Sequence, residues 1–116
     1  NGDLADIGAR QQAAIDALDK AVDWLLATFK ADPKAAHAGA VPFLHLFSIV
    51  VGGWQLGRAA VIARAKIAAG ESDPFWAAKI ATTRFFAGHF LTQAAGLSDT
   101  VTAGATGALE IAEDAF

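Results

Sequence analysis

The chain has 116 residues, enough for one domain and too few for two comfortable cores. It carries nine Lys and Arg against twelve Asp and Glu, a net charge of -3, and the cations are scattered singly, which argues against nucleic-acid binding. Cys is absent, so disulfides and thiolate metal sites are excluded.

Hydrophobic residues make up 54% of the chain, but Ala supplies 29 of them. Ala is the best helix former and a small packer. With only three Pro, this composition predicts closely packed helices around a core of modest side chains. Met is absent and the numbering opens on Asn1-Gly2, which we read as a segment of a longer protein. A processed secreted chain is the alternative, with no signal-like stretch to support it.

Asp3 is a candidate cap for a first helix, with Asp6 favouring its N-terminus. Leu4, Ile7, Ala14, Ile15, Leu18, Val22, Leu25, Leu26 and Phe29 follow the three-four spacing of one helical face. Arg10, Asp16, Asp19, Lys20, Asp23 and Lys30 take the other face. The helix is expected from Leu4 to about Ala31, which suits an elongated bundle.

Asp32-Pro33 then breaks the chain, and Asp73-Pro74 repeats the device. Asp followed by Pro at the first helical position is a strong helix start. Residues 33 to 40 read as a short helical lead-in. Pro42 is expected to kink or restart the chain. A long second helix is expected from about Val41 or Pro42 to Ala69, stopped by Gly70. No Asp, Glu, Lys or Arg occurs between Ala35 and Gly57. A stretch apolar all round has no face for water, so its first half is expected to be enclosed by its neighbours. The run is long enough to raise a membrane span, but it holds Pro42, His37, His45, Ser48 and Gln55 and lacks biased charged flanks. A buried central helix, with no membrane span, is the reading preferred. Gly53 and Gly57 lie four apart and allow close helix approach. Beyond them Arg58, Arg64 and Lys66 mark a wet side.

A third helix is expected from Pro74 to about Ala95 or Gly96, with Trp76, Ile80, Thr83, Ala87, Phe90, Leu91 and Ala94 on one face. Lys79 and Arg84 flank that face. Phe85 and Phe86 are adjacent and point about 100° apart, so either one faces outward or both lie in a broad contact zone. Ser98 or Asp99 is a candidate cap for a short fourth helix over Thr100 to Ala105, weakened by Gly104 and Gly107. Leu109 to Phe116 reads as a tail. The fold class is therefore all-α: an elongated up-down bundle of three long helices plus a short fourth.

Catalytic chemistry finds little purchase. Ser48 and His45 share a face, but no carboxylate stands by to orient them, and Ser48 has its own helix backbone to bond. Glu71, Glu110 and Glu113 are the only glutamates and fall in loops or the tail, which removes a di-iron bundle. His45 and His89 sit on different helices, where the options are a haem or zinc pair or two ordinary histidines. Arg58, Lys79 and Arg84 suit a phosphate or carboxylate, or plain helix-surface charge. No catalytic, cofactor-binding or metal residue is assigned.

Three stretches together resemble a known family. They are Val41-Pro42-Phe43-Leu44-His45-Leu46-Phe47, then Gly52-Gly53-Trp54, then Asp73-Pro74-Phe75-Trp76 on through Lys79-Ile80-Ala81-Thr82-Thr83-Arg84-Phe85-Phe86-Ala87. Their order and spacing, with the closing Glu113-Asp114-Ala115-Phe116, resemble the extra C-terminal helical domain of a branch of the acyl-CoA dehydrogenases. The resemblance implies a parent flavoenzyme in which a carboxylate takes the α-proton of an acyl-CoA thioester and FAD accepts the β-hydride. Those parts would lie in upstream domains, and this chain would hold no FAD. It implies a cytoplasmic, oligomeric enzyme of fatty-acid metabolism. The chain itself would be an accessory bundle making interdomain or subunit contacts and shaping the entrance for CoA. Arg84, Phe85, Phe86 and Phe116 are the candidate interface. A stand-alone four-helix interaction module without catalysis is the alternative, and a membrane-associated bundle is a third reading.

Overall fold

Both Asp-Pro pairs start helices, each by the same chemistry. Asp32 Oδ1 accepts from the Ala35 amide at 3.2 Å, and Asp73 Oδ1 accepts from the Phe75 amide at 2.9 Å. Each satisfies one of the amides that a helix start leaves without a partner. The computed structural model describes the backbone of residues 2–115 and the side chains of residues 4–115. The expected capping role of the Asp3 side chain and the contact expected of Phe116 lie outside the described residues.

Among the described residues there are five helices: α1 (Gly2–Ala31), α2 (Pro33–Ala38), α3 (Ala40–Ala68), α4 (Pro74–His89) and α5 (Ala94–Glu110). Short 3-10 turns cover Leu91–Gln93 and Glu113–Ala115. Pro42 lies in the first turn of α3, where its missing amide hydrogen is no loss, so no kink arises there. At the other end Gly70 takes a φ of +92°, and the Gly70 and Glu71 amides return to the Ile67 and Lys66 carbonyls. This is a Schellman stop, which favours glycine at the left-handed position.

The helices stand in three columns. α1 and α3 run antiparallel, with Gln11 beside Val50 and Leu4 packed on the Ala60 and Ala63 cluster. α4 runs back along α3, where Thr83 Oγ1 donates to the Leu56 carbonyl at 3.1 Å. α5 continues in the direction of α4 but packs on α1, where Ser98 Oγ donates to the Ala17 carbonyl at 2.8 Å. The molecule measures 65 × 27 × 17 Å, an elongated slab. Its core matches the Ala-rich composition. Ala14, Ala21, Ala60, Ala63, Ala87, Ala94 and Ala105 are buried, and Leu46 and Val101 are among the largest side chains fully enclosed. Gly39 joins α2 to α3 where a Cβ would meet the Val101 carbonyl oxygen at 3.1 Å, so α5 crosses that joint closely.

Two expectations are corrected. The third helix does not reach Ala95: it ends at His89, turns through Leu91–Gln93 and restarts as α5. The break lets Leu91 swing into the core against Gly53. Thr92 Oγ1 and Gln93 Nε2 donate to the Gly88 and His89 carbonyls, taking up acceptors near the break. The fourth helix is therefore 94–110 rather than 100–105, and Ser98 is a buried residue within it, not its cap. Packing of Val101 and Ala105 holds α5 together despite Gly96, Gly104 and Gly107.

The second correction concerns the central stretch. α3 buries one stripe, Leu46, Ile49, Val50, Gly53, Ala60 and Ala63. Its first half is not enclosed all round. Leu44, Phe47, Val51 and Trp54 stay exposed, because a slab 17 Å thick has too few columns to surround a helix.

Candidate interaction surfaces

The described residues place chemistry-bearing groups apart. Ser48 Oγ donates to the Leu44 carbonyl at 2.7 Å, and both Ser48 and His45 are exposed. Among the described residues no three of His, Asp and Glu stand close enough to hold a metal ion. His37 meets Phe29 edge-on, and His89 stacks on Phe85 at 4.0 Å. Arg58 lies over the Trp54 ring at 5.1 Å and Lys79 over Phe75 at 5.4 Å. These cations dress aromatic faces along single helices.

The expected interface residues separate on α4. Phe85 is 57% exposed. Phe86 is half-buried and leans on Gly52, where a Cβ would stand 3.1 Å from its ring. The two rings diverge as adjacent helical residues must. Arg84 reaches Asp6 on α1, with Nε at 4.0 Å from Oδ2. The outward features of this edge are thus Arg84, Phe85, His89 and Phe90.

A larger surface escaped the sequence reading. On α3 the side chains of Leu44, Phe47, Val51, Trp54, Arg58 and Val61 are all exposed, with Leu44 at 64% and Val61 at 60%. Their spacing of three and four keeps them on one stripe. The signal was present as unbroken hydrophobicity, which does not tell which face of α3 its neighbours leave open.

Two open apolar grooves flank the stripe, both between α1 and α3. One, of about 510 Å³, is lined by Leu4, Gly8 and Gln11 with Trp54, Gly57 and Arg58. The other, of about 460 Å³, lies between Leu25, Leu26 and Phe29 and Ala40, Phe43 and Leu44. α3 is also long and apolar enough to cross a membrane by length and composition alone, a test that core helices pass too. α1 and α4 occupy its buried stripe, and Arg58 interrupts its open one.

Neither groove fits a flavin dinucleotide. Their walls are aliphatic and aromatic, and the groove at Arg58 presents one cation to a ligand with two phosphates. Contiguous exposed apolar patches are a common feature of interaction sites.

The family model described as acetyl-CoA dehydrogenase C-terminal like matches residues 1–112. The 3-methylmercaptopropionyl-CoA dehydrogenase of Ruegeria pomeroyi is 39% identical over 108 residues, covering 87% of this chain and 18% of that protein. The chain thus spans under a fifth of the length of this relative. No solved structure matches. By the match over residues 1–112, the chain belongs to the acetyl-CoA dehydrogenase C-terminal-like family.

Proposed function

We propose that this bundle is the accessory C-terminal domain of an FAD-dependent acyl-CoA dehydrogenase, and that its work is packing between domains or subunits. The observation that carries the reading is the open apolar surface of α3 on a chain that spans 18% of a dehydrogenase relative. A domain that leaves Leu44, Phe47, Val51, Trp54 and Val61 in water is built to be covered.

In such an enzyme FAD accepts the β-hydride of an acyl-CoA thioester while a carboxylate removes the α-proton. The residues of this chain do neither. They supply rigid helical surface, and its placement sets how closely the bundle stands to the CoA end of the substrate. The cytoplasm as its compartment, and fatty-acid metabolism as its setting, rest on the family resemblance.

The test uses the intact polypeptide with and without residues 1 to 116. Bound flavin is read by its visible absorbance, and turnover by acyl-CoA-dependent bleaching across chain lengths. Flavin in the intact protein, with bleaching altered by the deletion, is the expected result. An intact polypeptide without flavin and without any response to acyl-CoA overturns it.

A further inference from the structure

The open stripe of α3 has a regular register. Leu44, Phe47, Val51, Trp54, Arg58 and Val61 follow one another at intervals of three, four, three, four and three. That alternation is the seam of a left-handed coiled coil, with Leu44, Val51 and Arg58 in one class of position and Phe47, Trp54 and Val61 in the other. The seam runs over 18 residues, roughly 25 Å of helix at 1.5 Å per residue. It lies on a different side of α3 from the buried stripe of Leu46, Ile49, Val50, Gly53, Ala60 and Ala63.

We propose that a second copy of this chain covers the seam, with the two α3 helices antiparallel about a two-fold axis near Gly52 and Gly53. The proposal names the partner of the surface on which the accessory-domain reading rests.

Three features select this occupant. The first is layer matching. In an antiparallel pair, positions of one class face positions of the other. Reflection about the Gly52–Gly53 midpoint sets Leu44 against Val61 of the second copy, Phe47 against its Arg58, and Val51 against its Trp54. Every member of the seam thereby meets another member of the seam, and each layer joins the two classes.

The second feature is charge. α3 contains no Asp or Glu, so Arg58 finds no anion on an opposing α3. A parallel pair in register would set Arg58 against its own copy in the seam. The antiparallel pair sets the guanidinium against the Phe47 ring. Arg58 already makes a contact of this kind with Trp54, at 5.1 Å within its own helix.

The third feature is shape. The groove at the Val61 end includes Gly8 and Gly57 in its lining, and a Cβ added at either would meet nothing within 4 Å. The opposite end has a groove of its own beside Leu44, walled by Leu25, Phe29 and Phe43. The two-fold lays exposed Leu44 and Phe47 over the groove at Gly8 and Gly57, and exposed Val61 over the groove beside Leu44, twice. Flanking exposed residues Val41 and Ile62 extend the apolar area. The result is two α1–α3 pairs closing into a four-helix arrangement. Interfaces of stable dimers bury on the order of 800 Å² per partner, so the pairing must cover the groove walls as well as the seam.

The test is made in the intact polypeptide, because the pairing must hold with the rest of the protein present. Versions carrying Leu44→Cys and Val61→Cys, distinguishable by isotope label, are mixed and mildly oxidised. Disulfide-linked peptides are then identified by mass spectrometry. Both sites are exposed, so the substitutions leave the core untouched. The expected result is a cross-link joining residue 44 of one copy to residue 61 of the other, and none from 44 to 44 or 61 to 61. As a second measurement, Trp54→Glu raises the dissociation constant of the dimer by about tenfold or more, read by sedimentation. A 44-to-44 cross-link means a parallel pair and overturns the proposal. So does the lack of any cross-link, whether maleimide finds both thiols open or finds them shielded by the rest of the polypeptide. If the cross-link is missing while flavin bleaching still depends on residues 1 to 116, the pairing fails and the accessory reading stands.

Discussion

Gln11 donates from Nε2 to the Val50 carbonyl at 3.0 Å, while its Oε1 lies against the bare Cα of Gly53. The contact fixes how closely α1 approaches α3. A Cβ at Gly53 would collide with Gln11 Oε1 and stand 2.8 Å from Leu91 Cδ2. Gly53→Ala therefore overpacks a closed joint at a cost of about 1–3 kcal/mol. The helix-propensity gain of about 1 kcal/mol offsets only part of it. Gly96→Ala is the internal contrast, because nothing lies within 4 Å of a Cβ there. That change stabilises α5 by roughly 0.5–1 kcal/mol. Urea midpoints of the two variants should move in opposite directions from the parent chain. A shift in the same direction for both would show that the Gly53 contact does not set the spacing.

Ser98 presents a similar pair with Ser48. The Ser98 hydroxyl is buried and bonds α5 to the Ala17 carbonyl across 81 positions of sequence. Ser98→Ala removes this tie but leaves the Ala17 carbonyl its place in α1, so the loss is about 1 kcal/mol. Ser48 is exposed and bonds only the helix it sits on. Ser48→Ala stays within about 0.5 kcal/mol of the parent. Thermal melts of both variants check the difference. Equal midpoints would mean that the α5 tie contributes nothing.

The helix starts were legible because Asp-Pro is a local code, and Asp32 and Asp73 cap as that code requires. The ends of α1 and α3 were legible for the same reason, given Gly70. The break at Phe90 was not. No Pro or Asn marks it, and Gly88 and Gly96 both lie within helices. Its cause is tertiary, since Leu91 fills the space beside Gly53. Sequence hydrophobicity also misplaced the middle of α3. Leu44 and Leu46 look alike in sequence, yet Leu46 is fully enclosed and Leu44 lies open. Which of two leucines is covered depends on how many columns surround the helix, and the pattern of one helix does not count them. The diverging rings of Phe85 and Phe86 were readable from helical geometry, but which one turned inward followed from the gap at Gly52.

The two capping aspartates make a local prediction. Asp73→Ala leaves the Phe75 amide without its acceptor, and Asp32→Ala does the same to the Ala35 amide. Each costs about 1 kcal/mol. α4 carries much of the packing on α3, whereas α2 is a single six-residue lead-in. Hydrogen exchange should therefore speed up along α4 in the first variant and only around α2 in the second. Uniform acceleration in both would mean that the caps act on one cooperative unit.

Phe85 separates packing within the bundle from packing outside it. Its ring is 57% exposed and stacks on His89 of its own helix. Phe85→Ala should therefore change the melting point of residues 1 to 116 by no more than surface substitutions do, within about 0.5 kcal/mol. Phe86→Ala, by contrast, empties the space over Gly52 and costs about 3 kcal/mol or more. In the intact polypeptide the order changes if the Arg84–Phe85 edge meets the rest of the enzyme. Phe85→Glu then alters acyl-CoA-dependent flavin bleaching while the isolated bundle melts as before. Bleaching that matches the parent across acyl chain lengths would remove Phe85 from the interface and leave the α3 seam as the surface that is covered.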